Sequence, residues 1–587
     1  MRQFTADFET TTKLDDCRVW AWAVCDIDNP KYIEIGNSME SFFQYVKKTG
    51  GIYYFHNLKF DGEFILGYIL KEGFELNKDG RSLEKNQFNT LISDRNNLFY
   101  SIRVCFETFP KNNQVEFRDS LKLLNYTVEK IAKTFKLPDQ KLEIDYTTER
   151  PVGWEITEKE RQYITNDVVI VAKALKILFD QDMKKLTIGS NALSDYKTRL
   201  GKKNFERIFP VFDIALHEDI KQAYKGGFTY LAPRYAQRML GEGIVLDVNS
   251  LYPWAMHSPN LLPFGTPVFF EGEYKYDKLH PVYIQRIRCQ FELKKDRIPT
   301  IQIKNNLSCF VSTEYLESSN GEDVVLTLTN VDLALIKDQY NLYELEYICG
   351  WKFRAKSGLF DNYIDHWIEI KIQATKDKNP GMRELAKLML NSLYGKFSTS
   401  PLVRSKWPYL RDDGSVGYIV GEDEYRDPVY MPVGAFITSI ARNKTIRSAQ
   451  ASYERFVYAD TDSMHLQGLD YPEGLDISDT ELGAWAHEGT FSKAMYLRSK
   501  CYLEEMILDA DSKDFQGLRA LAPQLAYVCD GVGYAGKITC AGMPKNLYPQ
   551  VTWENFKIGT EFTGKLAPKH VDGGIVFVNS PFKIRKG

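Results

Sequence analysis

Between residues 456 and 466 two short apolar runs meet at the acidic turn Asp460-Thr461-Asp462, and no other feature constrains the fold as tightly. Side chains two apart in a strand share a face, so a hairpin here sets both aspartates on one side. Neighbouring carboxylates repel and resist ionisation unless a cation compensates them. The chain must therefore build a sheet edge that tolerates this charge, with further ligands from elsewhere. Ordinary residue usage yields Asp-Thr-Asp about 0.07 times in a chain this long, so the turn is uncommon but needs support.

Support comes from Ile244-Val245-Leu246, which reads as a buried strand running into Asp247-Val248-Asn249-Ser250-Leu251-Tyr252-Pro253. Asp247 is placed to share a cation with Asp460 and Asp462, and Tyr252 to form a wall for a sugar. A capped turn with a packed tyrosine has the same pattern. Helical patterns follow at 361–373 and 382–394, separated by Pro380-Gly381 as in a helical hairpin. Lys387, Asn391 and Tyr394 recur at i, i+4 and i+7, hence on one face. A cation, an amide and a phenol there suit a triphosphate, a base edge and a sugar. An amphipathic helix with a polar solvent face has the same spacing.

The first 185 or so residues read as α/β, with strands near 19–25 and 52–55 and helices near 41–48 and 158–179. A polar stretch at 189–194 is expected to link this unit to the next. Asp7-Phe8-Glu9 alternates, so its two carboxylates face one way and Phe8 the other. Asp61 follows in Asn57-Leu58-Lys59-Phe60-Asp61-Gly62, and Tyr163 and Asp167 stand four apart on a helix, on one face. Four gathered carboxylates imply divalent cations. Two Mg²⁺ or Mn²⁺ ions about 3.5–4 Å apart can activate water and stabilise the leaving oxygen of a phosphodiester. Tyr163 is placed to orient that water.

Composition excludes several classes. The 587 residues suggest three or four folding units. With 75 basic against 78 acidic residues, net charge neither demands nor forbids nucleic acid. Nine scattered cysteines, none in C-x-x-C spacing, fit a reduced cytosolic protein. Histidine spacing gives no zinc motif. The acidic N-terminus does not read as a signal peptide, and no apolar run approaches a membrane span. The expectation is an intracellular protein without a membrane partner. The basic run Lys583-Ile584-Arg585-Lys586-Gly587 reads as a solvated end.

In this order, Asp7, Glu9, Asp61, Tyr163 and Asp167 resemble the DnaQ-like 3′–5′ exonuclease domain of proofreading DNA polymerases. Asp247–Pro253, the Lys387–Gly395 helix and the Asp460–Asp462 turn resemble the motifs of family B DNA polymerases. Tyr224-Lys225-Gly226-Gly227 is similar to the linker that coordinates synthesis with proofreading. Thr438–Arg442 and Lys500-Cys501-Tyr502 are similar to two primer-strand motifs. The likeness, over nearly the whole chain, is closest to the protein-primed, terminal-protein-dependent polymerases of small tailed Bacillus phages.

This resemblance implies an N-terminal RNase H-like exonuclease domain followed by a right-hand polymerase with palm, fingers, thumb and two insertions, α/β and α+β in class. The expected units are 1–188 exonuclease, 189–259 palm, 260–360 a terminal-protein-contacting insertion and 361–397 fingers. They continue with 398–424, an insertion for processivity and strand displacement, then 425–530 palm and 531–587 thumb and tail. It implies two divalent cations per active site, Mg²⁺ or Mn²⁺. In the palm these are held by Asp247 and Asp462, with Asp460 close by and the Val248 carbonyl assisting. The primer 3′-hydroxyl then attacks the α-phosphate of a dNTP in line, releasing pyrophosphate. Lys371, Arg383 and Lys387 match triphosphate contacts, Arg383 standing where lysine is expected. Tyr252 and Tyr394 shape the nucleotide pocket with Asn391, and Tyr252 excludes a ribose 2′-hydroxyl.

Thr10, His56, Asn57, Phe60, Ser120 and Leu121 match residues that hold single-stranded DNA, and Lys141 a lysine that assists hydrolysis. Tyr224, Gly226, Gly227, Thr438, Arg442, Lys500 and Tyr502 are expected at the DNA. Implied partners are template and primer DNA, dNTPs and a terminal protein, the chain acting as a monomer or as a heterodimer with that protein in the host cytoplasm. A polymerase primed by nucleic acid and a non-catalytic DNA-binding derivative are the alternatives. The second requires loss of a metal carboxylate, and all seven are present. The region 505–535 departs most from the family pattern.

Overall fold

The computed structural model describes residues 2–80, 82–108, 113–303, 311 and 313–586; Cys309 and the terminal Gly587 lie outside them. Strand Gln3–Thr10 pairs antiparallel with Val19–Asp26 and parallel with Gly51–Phe55, which runs parallel to Asn113–Asp119. Parallel neighbours need crossovers, here helices Met39–Thr49 and Leu58–Lys71. One sheet face sends Phe4, Ala6 and Phe8 into a core with Phe42, Phe55 and Phe64. The other meets helix Glu158–Asp180, whose Val168 carbonyl accepts from Thr5 Oγ1 at 2.8 Å. A Thr157–Glu160 capping box starts that helix. Such a cap stabilises by about 1 kcal/mol. The mixed sheet with helices on both faces is the RNase H-like layout.

The second sheet has nine strands. Gly243–Val248 lies between Trp485–Arg498 and Ser463–Gln467, and Phe456–Asp460 and Thr229–Leu231 follow outward. On the other flank the sheet continues through Cys501–Asp509 to Val532–Cys540 and Ala526–Cys529, so it runs unbroken across residue 530. Helix Met431–Ala451 packs across it, burying Phe436, Ile437, Ala441 and Ile446 in the largest core. A four-stranded sheet with helix Asn330–Gln339 fills the span expected of the first insertion.

Some local expectations change. Residues 189–194 are not an open linker but part of helix Ile188–Leu200, capped by Thr187. Tyr196 explains this: it is buried among Phe205, Phe360 and Tyr363, and that burial outweighs the polar neighbours. The segment after Asp247 is helix Leu251–Met256, which holds Pro253 in its first turn, where its missing N–H costs nothing. Helices Asp361–Lys376 and Pro380–Ser392 form the expected hairpin, with Pro380 opening the second behind an Asn379 cap.

Sequence did not reveal where the second insertion goes. Its hairpin, Leu402–Leu410 with Val416–Tyr425, joins the edge of the first sheet through Ser405 and Ser93. Tyr418 donates to Glu63 Oε1 on helix Leu58–Lys71 at 2.8 Å. Among the described residues, no helix is long and apolar enough to cross a membrane.

Candidate active sites

Asp7 and Glu9 stand on the central strand facing helix Glu158–Asp180, where Asp167 sits one turn after Tyr163. Ligand oxygens of Asp7, Glu9 and Asp167 lie within 4.8 Å of one another. Asp61, buried in the first turn of helix Leu58–Lys71, adjoins Asp7 but stands outside that tight trio. Burial first, then Asp167, lifts the Asp7 carboxyl above its ordinary range. Burial, Asp7 and Asp167 raise Glu9 in the same way. Burial and Asp7 raise Asp61.

Lys141 pairs with Asp167 and donates to the Tyr163 hydroxyl at 3.3 Å. Burial opposes its charge, yet Asp167 and Asp7 outweigh burial and hold it above the usual lysine value. Asp61 Oδ1 and Asp167 Oδ1 are buried without hydrogen-bond partners. An all-oxygen set with unpartnered buried carboxylate oxygens fits a hard divalent cation.

A cavity of about 780 Å³ opens on this trio, lined by Thr10, His56, Asn57 and Phe60, and across it by Phe577 of the C-terminal hairpin. Phe577 stacks on Phe60 at 5.6 Å. Three further residues expected at the DNA have the following surroundings. His56 spends both nitrogens internally, on Ser120 Oγ at 3.0 Å and the Tyr126 carbonyl at 2.6 Å, and burial lowers its basicity. Ser120 is fully buried, donates to the Phe55 carbonyl and meets His56 Nδ1. Leu121 does not line the cavity. Two further residues escaped sequence reasoning. Tyr146 meets the Tyr163 hydroxyl at 2.7 Å from a loop without periodicity. Asp119 caps the wall by accepting from Asn57 N and Leu121 N.

At the second centre, register places Asp247 opposite Ser463, and Val248 N donates to the Asp462 carbonyl at 2.8 Å. A cavity of about 300 Å³ is lined by Asp247, Asp460, Asp462, Glu488, Tyr502 and Lys537. Burial first, then Asp462 and Glu488, push Asp247 up to about 7. Burial, with Asp460 and Glu488, also raises Asp462. Asp460 differs: Lys500 Nζ lies 2.7 and 2.8 Å from its oxygens, and Thr229 Oγ1 donates at 3.1 Å. The three aspartates thus divide into an open pair, Asp247 and Asp462, and a neutralised third. Open carboxylates that repel one another again suit divalent cations.

Glu488 was not found from sequence. It is the unpaired residue of a bulge, where Val245 pairs with Gly489 and Leu246 with His487. Bulges re-aim side chains beside active sites, and nothing in a lone acid signals one.

Above this centre Tyr252 and Tyr394 stack, their rings 3.8 Å apart. The Lys387 charge reaches Asp247 and pulls its carboxyl down against the burial. Lys371 is lowered by burial and by the positive charges of Arg383 and Lys387, so the three cations form one cluster. Asn391 is exposed on the same helix. Tyr502 is almost buried in a cluster with Tyr458 and Tyr496.

The segment Tyr224–Gly227 is tied to the turn. A Cβ on Gly227 would lie 2.5 Å from Thr461 Oγ1, so only glycine allows this approach. Arg442 donates to the Lys225 and Gly226 carbonyls at 2.5 and 2.8 Å. Here two expectations change. Thr438 is buried with its hydroxyl on the Gly434 and Ala435 carbonyls, so it does not face the cleft. Arg442 is 6% exposed and bridges to Asp332 at 2.6 Å, making it an internal strut between helices Met431–Ala451 and Asn330–Gln339. Removing one partner of a buried pair costs about 3–5 kcal/mol. Arg442→Met should therefore lower thermal stability by several degrees, and Arg442→Met with Asp332→Leu should recover much of the loss, both measured as the unfolding midpoint.

The family model described as DNA polymerase type B, organellar and viral, matches residues 44–148 and 141–480. The chain is 47% identical over 588 residues to the DNA polymerase of Bacillus phage Nf, covering all of both chains. It is 45% identical over 590 residues to that of Bacillus phage phi29, covering 100% of this chain and 99% of that one. It is 34% identical to that of Streptococcus phage Cp-1 over 99% of this chain and 98% of the other. Among solved structures, phi29 DNA polymerase complexed with primer-template DNA and incoming nucleotide superposes with a TM-score of 0.91 at 44% identity, covering 100% of both chains.

Proposed function

This chain belongs to the type B DNA polymerases of the organellar and viral branch, a DNA-directed DNA polymerase of the phi29 type, and from that premise we propose how its two carboxylate centres divide the work. The palm centre extends DNA, and the N-terminal centre removes mispaired nucleotides from the primer 3′ end. The observation that carries this reading is the occurrence of two separate carboxylate groups on two sheets, each at the floor of its own cavity.

In the palm, Asp247 and Asp462 present open oxygens while Lys500 holds Asp460 and keeps the turn rigid. Lys371, Arg383 and Lys387 receive the triphosphate. The Tyr252–Tyr394 stack serves as the sugar wall, and Tyr252 would exclude a ribose 2′-hydroxyl. Tyr502 and the exposed Lys500 hold the primer strand, and Gly227 couples the Tyr224–Gly227 segment to the turn on which the primer end rests. Bound divalent cations, Mg²⁺ in the proposed enzyme with Mn²⁺ as substitute, would supply Lewis-acid stabilisation of phosphoryl oxygens at both centres.

In the nuclease, Asp7, Glu9, Asp61 and Asp167 would hold the cations. Tyr163, oriented by Lys141 and Tyr146, positions the attacking water. Thr10, Asn57 and Phe60 line the single-strand channel, with Phe577 closing its far side.

We further propose that synthesis starts on a terminal protein, contacted by the 260–360 insertion, in the host cytoplasm. The proposed units keep the boundaries given above. The enzyme then works as a heterodimer with that protein at initiation and as a monomer during elongation. Incubation with labelled dATP, Mg²⁺ or Mn²⁺ and the cognate terminal protein should yield a covalent protein–nucleotide adduct. Absence of the adduct, with primer extension intact, would point instead to a nucleic-acid primer.

A further inference from the structure

Among the described residues, a buried polar contact joins the N-terminal unit to helix Pro380–Ser392 beside shared apolar packing. The Tyr126 hydroxyl donates to Glu384 Oε1, joining the segment after Asn113–Asp119 to helix Pro380–Ser392. Glu384 is 4% exposed and sits next to Arg383 and one turn before Lys387. Around the pair the packing is close and apolar. A Cβ on Gly381 would lie 2.7 Å from Ile177 Cδ1, and Leu385, Ala386 and Met389 share a core with Leu123, Leu124 and Phe135.

Glu384 shares helix Pro380–Ser392 with Arg383 and Lys387, three residues before Lys387, and its charge reaches Lys371. Lys371 is pushed down by burial, Arg383 and Lys387, and only the Glu384 charge pulls it back. None of Lys371, Arg383 and Lys387 forms an ion pair among the described residues. A buried carboxylate seeks a hydrogen-bond donor or a counter-charge. Tyr126 meets that need from the nuclease side, so Glu384 does not draw on the cations. The Tyr126 ring is itself held, with Lys130 Nζ 4.7 Å above it and the backbone carbonyl bonded to His56 Nε2.

We propose that Tyr126 is a positioning residue for nucleotide binding: by holding Glu384, it keeps Lys371, Arg383 and Lys387 available to the triphosphate of the incoming dNTP. This rests on the reading of those three cations as the triphosphate site. Without the Tyr126 hydroxyl, Glu384 satisfies itself on the nearest cation and competes with the triphosphate. The nuclease domain thereby sets the nucleotide affinity of a site on a different domain.

The test is steady-state primer extension with the full chain. Tyr126→Phe should raise KM for dNTP about 5-fold or more while kcat changes less than 2-fold, with single-strand degradation unchanged. Glu384→Gln, which removes the competing charge, should leave KM near the wild-type value, and Tyr126→Phe with Glu384→Gln should restore it. A merely structural contact would instead lower the unfolding midpoint and kcat in both single variants, with no rescue in the double. An unchanged KM in Tyr126→Phe, or failure of Glu384→Gln to rescue, overturns the proposal. Lys387→Ala separates the two readings. If it raises KM while Tyr126→Phe does not, only the positioning role fails; if it leaves KM unchanged, the triphosphate site itself is misassigned and the proposal falls with it.

Discussion

Asp462→Ala is expected to abolish dNTP incorporation, by more than about 100-fold, while single-strand degradation stays within 2-fold of wild type. The magnitude is a lower bound, since partners one shell out from a metal already cost 10–100-fold when removed. Of the three aspartates lining this cavity, Asp462 and Asp247 are left open by the surrounding charges, because Lys500 occupies Asp460. Its removal also takes away the first charged neighbour that holds Asp247 up at about 7. The remaining carboxylate therefore ionises more easily, yet it stands without its opposite ligand. Ionisation alone does not rebuild the site.

Asp462→Asn is the sharper control, since it keeps the volume and the 2.8 Å backbone contact from Val248 N to the residue 462 carbonyl. Primer extension with Mg²⁺ and with Mn²⁺, alongside degradation of a labelled single strand, measures both activities on one preparation. Loss of both in a folded variant would sink the assignment of synthesis and degradation to separate centres.

Why the aspartates were legible and their surroundings were not follows from how each position is specified. Asp7 and Glu9 obey the two-residue period of a strand, and Tyr163 and Asp167 the four-residue spacing of a helix. Local geometry alone then predicts a shared face. Asp460, by contrast, ends a strand, and Asp462 follows it in the turn, across a left-handed Thr461. The overall architecture followed from the same elements, because the acidic strand ends carried a family likeness over nearly the whole chain.

Glu488 obeys no such period, since it owes its direction to a bulge that only the register with Val245 and Leu246 creates. Arg442 and Asp332 pair across 110 residues, and Tyr126 and Glu384 across 258. No local pattern encodes such pairs. Ser120 and Thr438 show the converse limit. Their positions match a motif, and no local pattern tells that burial sets their hydroxyls on backbone carbonyls. The second insertion reads as any surface hairpin until Ser405 pairs with Ser93 and makes it part of the nuclease sheet.

Replacing Asp7 and Glu9 together with alanine is expected to do the reverse of Asp462→Ala: degradation falls more than about 100-fold, and primer extension persists with more retained mismatches. The two centres lie on different sheets, so the loss at one leaves the register of the other intact. The variant should also be no less stable than the wild type, which runs against the usual cost of changing buried residues. Folding gathers these carboxyls where burial and mutual repulsion raise their affinity for protons, Asp7 up to about 7.

An acid whose folded pKa exceeds its unfolded value binds more protons in the folded state, so stability falls as pH rises between those two values. The unfolded value is about 4. With divalent cations chelated, the wild-type unfolding midpoint should therefore decline from about pH 4 to pH 7 more steeply than that of the double variant, and the gap should favour the variant at pH 7. Adding Mg²⁺ should narrow the gap, because a cation bound only to the folded wild type stabilises it by mass action. Equal pH slopes for the two proteins would mean that Asp7 and Glu9 do not carry the electrostatic load assigned to them, whatever their role in hydrolysis.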